Sequence, residues 1–583
     1  MKTWAAAILL PALAAMAHSQ TEPQPRADPE APAQIFLNGN IYAGAELGFG
    51  GRPARVLPRV QALAVRGGRI IAAGTNAEIS RLRGQGTQVV DLGGHFVMPG
   101  FNDAHLHLAN GGFEKLNLNL VGAASLKEMQ SRIAARAASA SPGEWITGRG
   151  WDHTLWPDKK LPTRSDLDAV TGKHPAIFTR VDGHIAVANS AALAAAGITA
   201  NTADPPGGKI DRDEKGQPTG ILREGAKDLV TSKVPRPSPS HRRRAIELAL
   251  ADAARWGLTS AQDNSQWADF LVYEDLLREG KLTLRITEWL PFPAPLDMLE
   301  RHRAHHEQGD VWLHTGMLKG FMDGSLGSRT AALLKPYADD PSNSGLPQYK
   351  QDELDQMTVL RTLSGFQIGF HAIGDRGVEM ALNAFADAAR AARSRGPNLP
   401  QNVRPSGFRF RVEHAQVVTP EQFARFHELG VIASMQPNHL LTDMNWAVER
   451  IGPERARTSY AWAEFLKNDV PLAFGTDYPV EPITPFRGLY AAVTRRNEAG
   501  TKEYFPEQKI SIDQAIAAYT TGAAYAEFAE NDKGTLRPGM LADFVVLDRD
   551  ITRVKPEEIL KTRVLRTVVG GQTVSEAKFE LKD

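Results

Sequence analysis

Residues 96–108 read FVMPGFNDAHLHL, an apolar run that ends in two histidines one residue apart. Side chains two apart on a β-strand share a face. His105 and His107 can therefore grip one metal ion from the end of a single strand. An HxH triplet on its own is more often incidental than a ligand pair. Its place at the end of an apolar strand, with Asp103 on the same face, gives it weight.

Beyond this segment the chain alternates short apolar strands with helical stretches. With 97–105 as the first strand, the others fall at 259–264, 284–290, 317–322, 367–370, 408–412, 431–435 and 471–474. Strands interleaved with helices in this way predict an α/β protein built on a (β/α)8 TIM-like barrel. The stretch 117–233 does not fit the alternation. It carries its own strands (WITGRGWD, AIFTRVDGH) and helices (LKEMQSRIAARAAS, NSAALAAAG). It is expected to form an inserted α+β subdomain over the barrel mouth.

The two ends are rich in short strands punctuated by Gly and Asn turns: IFLNGNIYAG, VQALAVRGGRIIAAG and TQVVDLGGHFVMPG before the barrel, ADFVVLDRD and VLRTVVGGQTV after it. They read as one small β-sandwich built from both ends, or as two separate β-modules. The expected organisation is a signal peptide at 1–19, a linker at 20–33, the N-terminal share of the β-sandwich at 34–97, and the barrel start with HxH at 98–116. The insert at 117–233, the barrel remainder at 234–529 and the C-terminal share of the sandwich at 530–583 complete it. The leader reading rests on Lys2, the short apolar run WAAAILLPALAA broken by Pro11, and small-residue cleavage sites at Ala15-Met16-Ala17 or Ala17-His18-Ser19. A polar, Pro-rich stretch follows. The run is too short to span a membrane, and without cysteine no lipid anchor is expected. An ordinary N-terminal helix is the alternative. The leader implies a secreted protein, periplasmic in a Gram-negative source.

Lys plus Arg and Asp plus Glu balance at 67 each, so no broad basic field serves nucleic acid. The basic run at 241–245 reads as a solvated helix face, and a small-molecule substrate is the expected partner. The chain has no cysteine, which removes disulfides, thiolate metal sites and cysteine nucleophiles. Any metal is left to histidine, carboxylate or a modified lysine, a set that suits zinc, manganese, iron or cobalt. No GxSxG nucleophile elbow is present.

Other metal-capable residues end other predicted strands: His371 ends QIGFH, His414 ends FRVEH, Asp477 ends LAFGTD, and Lys319 lies in GMLKGFMDGS. In such barrels the catalytic face is the C-terminal end of the strands. A lone histidine there is more often a structural hydrogen-bonder, but coincidence is a poor account of so many on different strands.

This set, in this chain order, resembles the amidohydrolase superfamily. The phrases VMPGFNDAHLH, FMDGSLGSRTAAL, FHAIGDRGV and GTDYPVEP resemble its YtcJ-like branch, amidohydrolase family 3, which includes N-substituted formamide deformylase. The resemblance covers nearly the whole mature chain. It implies one or two divalent ions, zinc first, with His105 and His107 on the first metal and His371 and His414 on the second. Asp477 would bind metal and act as general base. Lys319 would be carboxylated and bridge the two ions, since a bare ammonium beside cations would be repelled; the alternative for Lys319 is an ion pair with Asp323. His184, in TRVDGHIAVANSAAL, would polarise the carbonyl or hold the oxyanion, with Asp182 on the same strand face, or would be merely structural. Trp151 and Asp152 would form an aromatic wall, or Trp151 would be plain packing, the commoner role of tryptophan; Asp323 would sit near substrate, and Asp375 and Arg376 would orient His371 or pair with each other. Homodimers are common in the superfamily. The implied reaction is hydrolysis of a C–N bond in an N-acyl or N-formyl amide. A heterocyclic amine deaminase and a non-catalytic periplasmic metal or solute binder are the rivals.

Overall fold

The computed structural model describes residues 31–577 apart from 49, 308 and 396–406. The leader 1–19 and most of the linker lie outside the described residues. Eight strands form one all-parallel sheet in sequence order. They are β1 (Phe101–Leu106), β2 (Leu258–Asp263), β3 (Arg285–Pro291), β4 (Leu313–Phe321), β5 (Ile368–Ala372), β6 (Arg411–His414), β7 (Ile432–Met435) and β8 (Leu472–Phe474). Neighbouring strands pair in parallel throughout, for example Gly369 with Arg411 and Ala433 with Leu472. The sheet curls until its edges meet just past β8: Asp477 N donates to His105 O at 2.7 Å, and His107 N donates to Tyr478 O at 2.7 Å. Asp103 reinforces that seam by accepting the Thr476 amide (2.9 Å) and hydroxyl. The result is a nearly closed TIM-like (β/α)8 barrel, as the alternating pattern predicts.

The expected first strand, 97–105, is in fact two. Phe96–Pro99 pairs antiparallel with Phe544–Leu547 near the other chain end, and only Phe101–Leu106 enters the barrel. Gly100 marks the change of sheet. A Cβ there would lie 2.2 Å from the Thr259 side chain, so only glycine lets the strands pass so closely.

Both ends of the chain build one β-sandwich. A five-stranded sheet (40–41, 96–99, 544–547, 564–569, 572–576) faces a four-stranded one (69–74, 62–66, 34–37, 88–91). Phe36, Val97, Leu536 and Phe544 share the core between them, and Phe36 meets Phe544 edge-to-face at 5.0 Å. The insert folds around a six-stranded mixed sheet. Its strands at 146–151 and 176–180 and its helices at 126–138 and 190–195 fall where the sequence pattern puts them. The strands at 185–188, 208–212 and 218–224 carry no comparable signal and emerge only as partners of these.

The basic run 241–245 lies on the helix Pro239–Arg255, where Arg242 bonds Asp269 and Arg243 donates to Glu279 at 2.7 Å. Among the described residues no helix is long and apolar enough to cross a membrane.

Candidate metal centre and active site

The donors gather at the C-terminal rim of the barrel. His105 ends β1, fully buried. Its Nδ1 lies 2.7 Å from Glu413 Oε2 and donates to that carboxylate, which Arg411 Nε holds at 2.8 Å. Nε2 is therefore the lone-pair nitrogen, and Lys319 Nζ lies 3.1 Å from it. His107 opens the helix Leu108–Leu116. Its Nδ1 donates to Asn264 O at 2.9 Å, which leaves Nε2 facing Asp477 Oδ1 at 3.3 Å.

His414 ends β6, with Nδ1 4.0 Å from Asp477 Oδ2. Both residues hold left-handed backbone, φ +74° and +56°. Such strain in a non-glycine residue costs on the order of 1–3 kcal/mol and persists where the surroundings over-determine it. Here it turns both side chains toward one point.

His371, on β5, gives Nε2 to Gly324 O at 3.1 Å, so only Nδ1 remains for the site; its ring centroid lies 4.5 Å from that of His414. Two triplets have ligand atoms close enough to share an ion: His105, His107 and Asp477, and His414, His439 and Asp477. His371 flanks these triplets, and Lys319 Nζ meets the first of them at His105 Nε2.

His439 has no place in the sequence-based set. It follows β7 on the short helix Asn438–Asp443, and its Nε2 lies 3.1 Å from Asp477 Oδ2. Its signal is its place just past a barrel strand on the same rim. It escapes a search confined to residues that end strands.

Electrostatics favour lone pairs over protons. Burial, then the charge of Lys319, pushes the His105 imidazole down to about 4. His371 and His414 lie well below the usual histidine range, mainly through burial. Burial pulls on His439 too, but its hydrogen bond to Asp477 and that charge outweigh it and raise it to about 9. Burial opposes ionisation of Asp477, yet the surrounding histidines, His105 foremost, hold it well below the usual carboxylate range. Burial pushes Lys319 down to about 8, against the pull of Glu413 and Asp477.

The donor set fits a divalent cation. His414 Nδ1 is buried without a hydrogen-bond partner, and Asp477 Oδ1 makes no properly directed hydrogen bond. Buried polar atoms are rarely left so, and a cation is what a neutral imidazole and a carboxylate at this spacing jointly accept.

The insert closes the site from above. A cavity of about 270 Å³ lies between the two, walled by Val121, Leu155, Val181, Ile373 and Trp446 with polar groups at its base. His184 lines it, with Nδ1 3.0 Å from Glu224 Oε2. Burial works against its protonation, but Glu224 outweighs that and raises it. Asp182 also lines the cavity, but its oxygens are committed: Oδ2 to Arg180 at 2.7 Å, to Ser328 Oγ at 2.8 Å and to Ser325 Oγ, and Oδ1 to the His184 backbone amide at 3.1 Å. It fastens the insert to the barrel loop 323–330.

Three other expected placements differ. Trp151 does not line the cavity. It is fully buried in the insert core, and its indole N–H donates to Phe178 O at 2.8 Å; the aromatic wall is Trp446 instead. Asp323 faces neither substrate nor Lys319. Its oxygens accept the backbone amides of Ala332, Ile373 and Gly374 at 2.8–3.0 Å. Asp375 accepts the backbone amides of Leu334 (2.8 Å) and Arg376 (3.0 Å), so its carboxylate neither pairs with the Arg376 guanidinium nor orients His371.

This barrel, with a rim of histidines and an aspartate, defines a class that the comparisons make specific. The profile of the Amidohydrolase family matches residues 88–575, and the chain belongs to that family. It is similar to the Arabidopsis thaliana protein LONG AFTER FAR-RED 3, at 35% identity over 88% of each chain. It is similar to the putative amidohydrolase YtcJ of Bacillus subtilis, at 32% identity over 93% of this chain and 99% of that one. N-substituted formamide deformylase of Arthrobacter pascens matches at 27% identity over 88% and 94%. Among solved structures, an uncharacterized metal-dependent hydrolase of Pyrococcus horikoshii superposes with a TM-score of 0.70 at 31% identity, over 90% of this chain and 99% of that one.

Proposed function

We propose that this chain hydrolyses the C–N bond of an N-acyl or N-formyl amide, using divalent metal held by His105, His107, His371, His414 and Asp477, with zinc the first choice. The observation that carries the reading is the pair of unsatisfied buried atoms, His414 Nδ1 and Asp477 Oδ1, at the one place where β1, β6 and β8 converge. The match to a formamide deformylase supports the amide class. A cation held there supplies Lewis acidity, which makes water nucleophilic near neutral pH.

The protein's own residues do the rest. Asp477 takes the water proton and passes it to the leaving nitrogen. His439, bonded to Asp477 Oδ2, fixes the carboxylate's orientation. His184, kept protonated by Glu224, donates to the carbonyl oxygen as negative charge builds on it. Lys319 has only the His105 nitrogen as a polar partner among the described residues. Its lowered proton affinity favours the free amine, the form that would react with carbon dioxide to give a carbamate, an anionic oxygen ligand that would suit a metal held there.

The test is a release assay on metal-replete protein with two substrate families, N-substituted formamides (formate released) and aminated heterocycles (ammonia released). Formate release that stops on chelation and returns with zinc supports the reading. Turnover of the heterocycles alone transfers the protein to the deaminases, and turnover of neither leaves it a binder.

A further inference from the structure

Asp443 is a carboxylate in the cavity wall that no cation among the described residues approaches to ion-pair distance, although the charges of His439 and Arg180 act on it from farther away. It is 8% exposed and makes no ion pair among the described residues. It stands four residues after His439, about one helical turn from the reacting centre. Its neighbours are otherwise engaged: Glu481, at the same end of the cavity, binds Arg487 at 2.6 Å and the Thr442 hydroxyl at 2.7 Å. Among the described residues Asp443 has only the Tyr460 hydroxyl, on Oδ2, and its side chain lines the cavity. A buried carboxylate without a salt bridge is costly, and burial, partly offset by the charges of His439 and, less, Arg180, pushes its proton affinity up to about 7.

A second acceptor sits beside it. Gln416, 4% exposed and also in the cavity wall, lies with its amide end 3.3 Å from the same Tyr460 hydroxyl. The Tyr460 hydroxyl faces Gln416 Oε1 as well as Asp443 Oδ2. A carboxylate and a carboxamide are thus held side by side in the cavity wall, with the Trp446 ring as an apolar neighbour.

We infer that Asp443 and Gln416, buttressed by Tyr460, form a subsite for a primary amine or ammonium group on the substrate, close to the scissile bond. This rests on the hydrolytic reading and narrows its substrate class to acylated amines that carry a second, free amino group. Trp446 adds a cation–aromatic contact to the carboxylate's charge.

The experiment uses the metal-replete full chain and two N-substituted formamides of matched size, one ending in a primary amine, the other in methyl. The ratio of kcat/KM, amine over methyl, is expected to be at least about tenfold in the wild type, the scale of one charge-assisted contact. It should fall toward unity in Asp443→Asn and in Asp443→Ser. A wild-type ratio near one overturns the subsite, and so does a preference that survives in both variants, because the amine would then be held elsewhere. A second arm needs no turnover: calorimetric binding of n-hexylamine against 1-hexanol. Amine selectivity that depends on Asp443 without formamide cleavage sustains the subsite and sinks the hydrolytic reading. Formamide cleavage with equal binding of the two ligands does the reverse.

Discussion

The two walls of the cavity are built on opposite electrostatic plans. On the barrel side, His105, His371 and His414 are neutral, and His414 and Asp477 carry unsatisfied atoms. On the insert side every charge is matched: Arg180 lies between Asp152 and Asp182, and His184 bonds Glu224. An unsatisfied wall is waiting for a ligand, whereas a satisfied one holds a shape. On the proposed reading the barrel rim holds the metal and the base, while the insert encloses the cavity and contributes His184.

The largest effect should come from the unsatisfied wall. Asp477→Asn keeps the side-chain volume but removes the base. It is expected to lower kcat by about 10²–10⁴-fold with KM changed far less; steady-state kinetics beside a circular dichroism spectrum checks this. Equal loss on substituting Asp182, with intact fold, would break the division between the walls.

Next is Glu224→Gln, which strips His184 of the charge that keeps it protonated. A fall in kcat/KM of about 10²-fold is expected, the scale of one oxyanion donor, while metal content measured by elemental analysis stays at the wild-type value.

Asp182→Asn should act on stability instead. Breaking a buried pair costs about 3–5 kcal/mol, less here because Arg180 keeps Asp152. The Asp182 carboxyl is buried, yet Arg180, His184 and the two serines hold it below its unfolded range. Its contribution is thus fully present above the unfolded value of about 4 and is lost as pH falls through the folded one. The Tm gap between wild type and variant should be constant from neutral pH down to about 5 and narrow below about 4. A gap that widens on acidification would contradict the assignment.

The smallest effect is expected from Trp151→Phe, which loses one buried hydrogen bond in the insert core. A stability cost of about 1–2 kcal/mol with unchanged KM is expected from a denaturant titration and kinetics; a raised KM would return Trp151 to the cavity.

The barrel was legible because parallel strands buried on both faces read as apolar runs, and because the candidate site residues stand at or just past the ends of those runs. His371, His414 and Asp477 could be found by that rule, whereas Lys319, inside its strand, needs the family resemblance. His439 could not, since a helical turn displaces it from its strand. Left-handed backbone at His414, Asp477 and Glu224 leaves no mark in composition, yet it aims the first two at one point. Trp151 and Trp446 look alike in sequence. Only packing separates them: one lies beneath the insert sheet, the other at the cavity wall. Asp323 misleads for a similar reason, since its oxygens are taken by backbone amides 9 to 51 residues away.

On the proposed reading, separate barrel strands deliver their side chains to a cation. Elemental analysis of the chain purified without chelator puts this to the test. About one to two transition-metal ions per chain are expected, lost together with activity in a His105→Ala, His107→Ala double variant that still folds. A preparation that holds no metal and still turns over its amide substrate would contradict it.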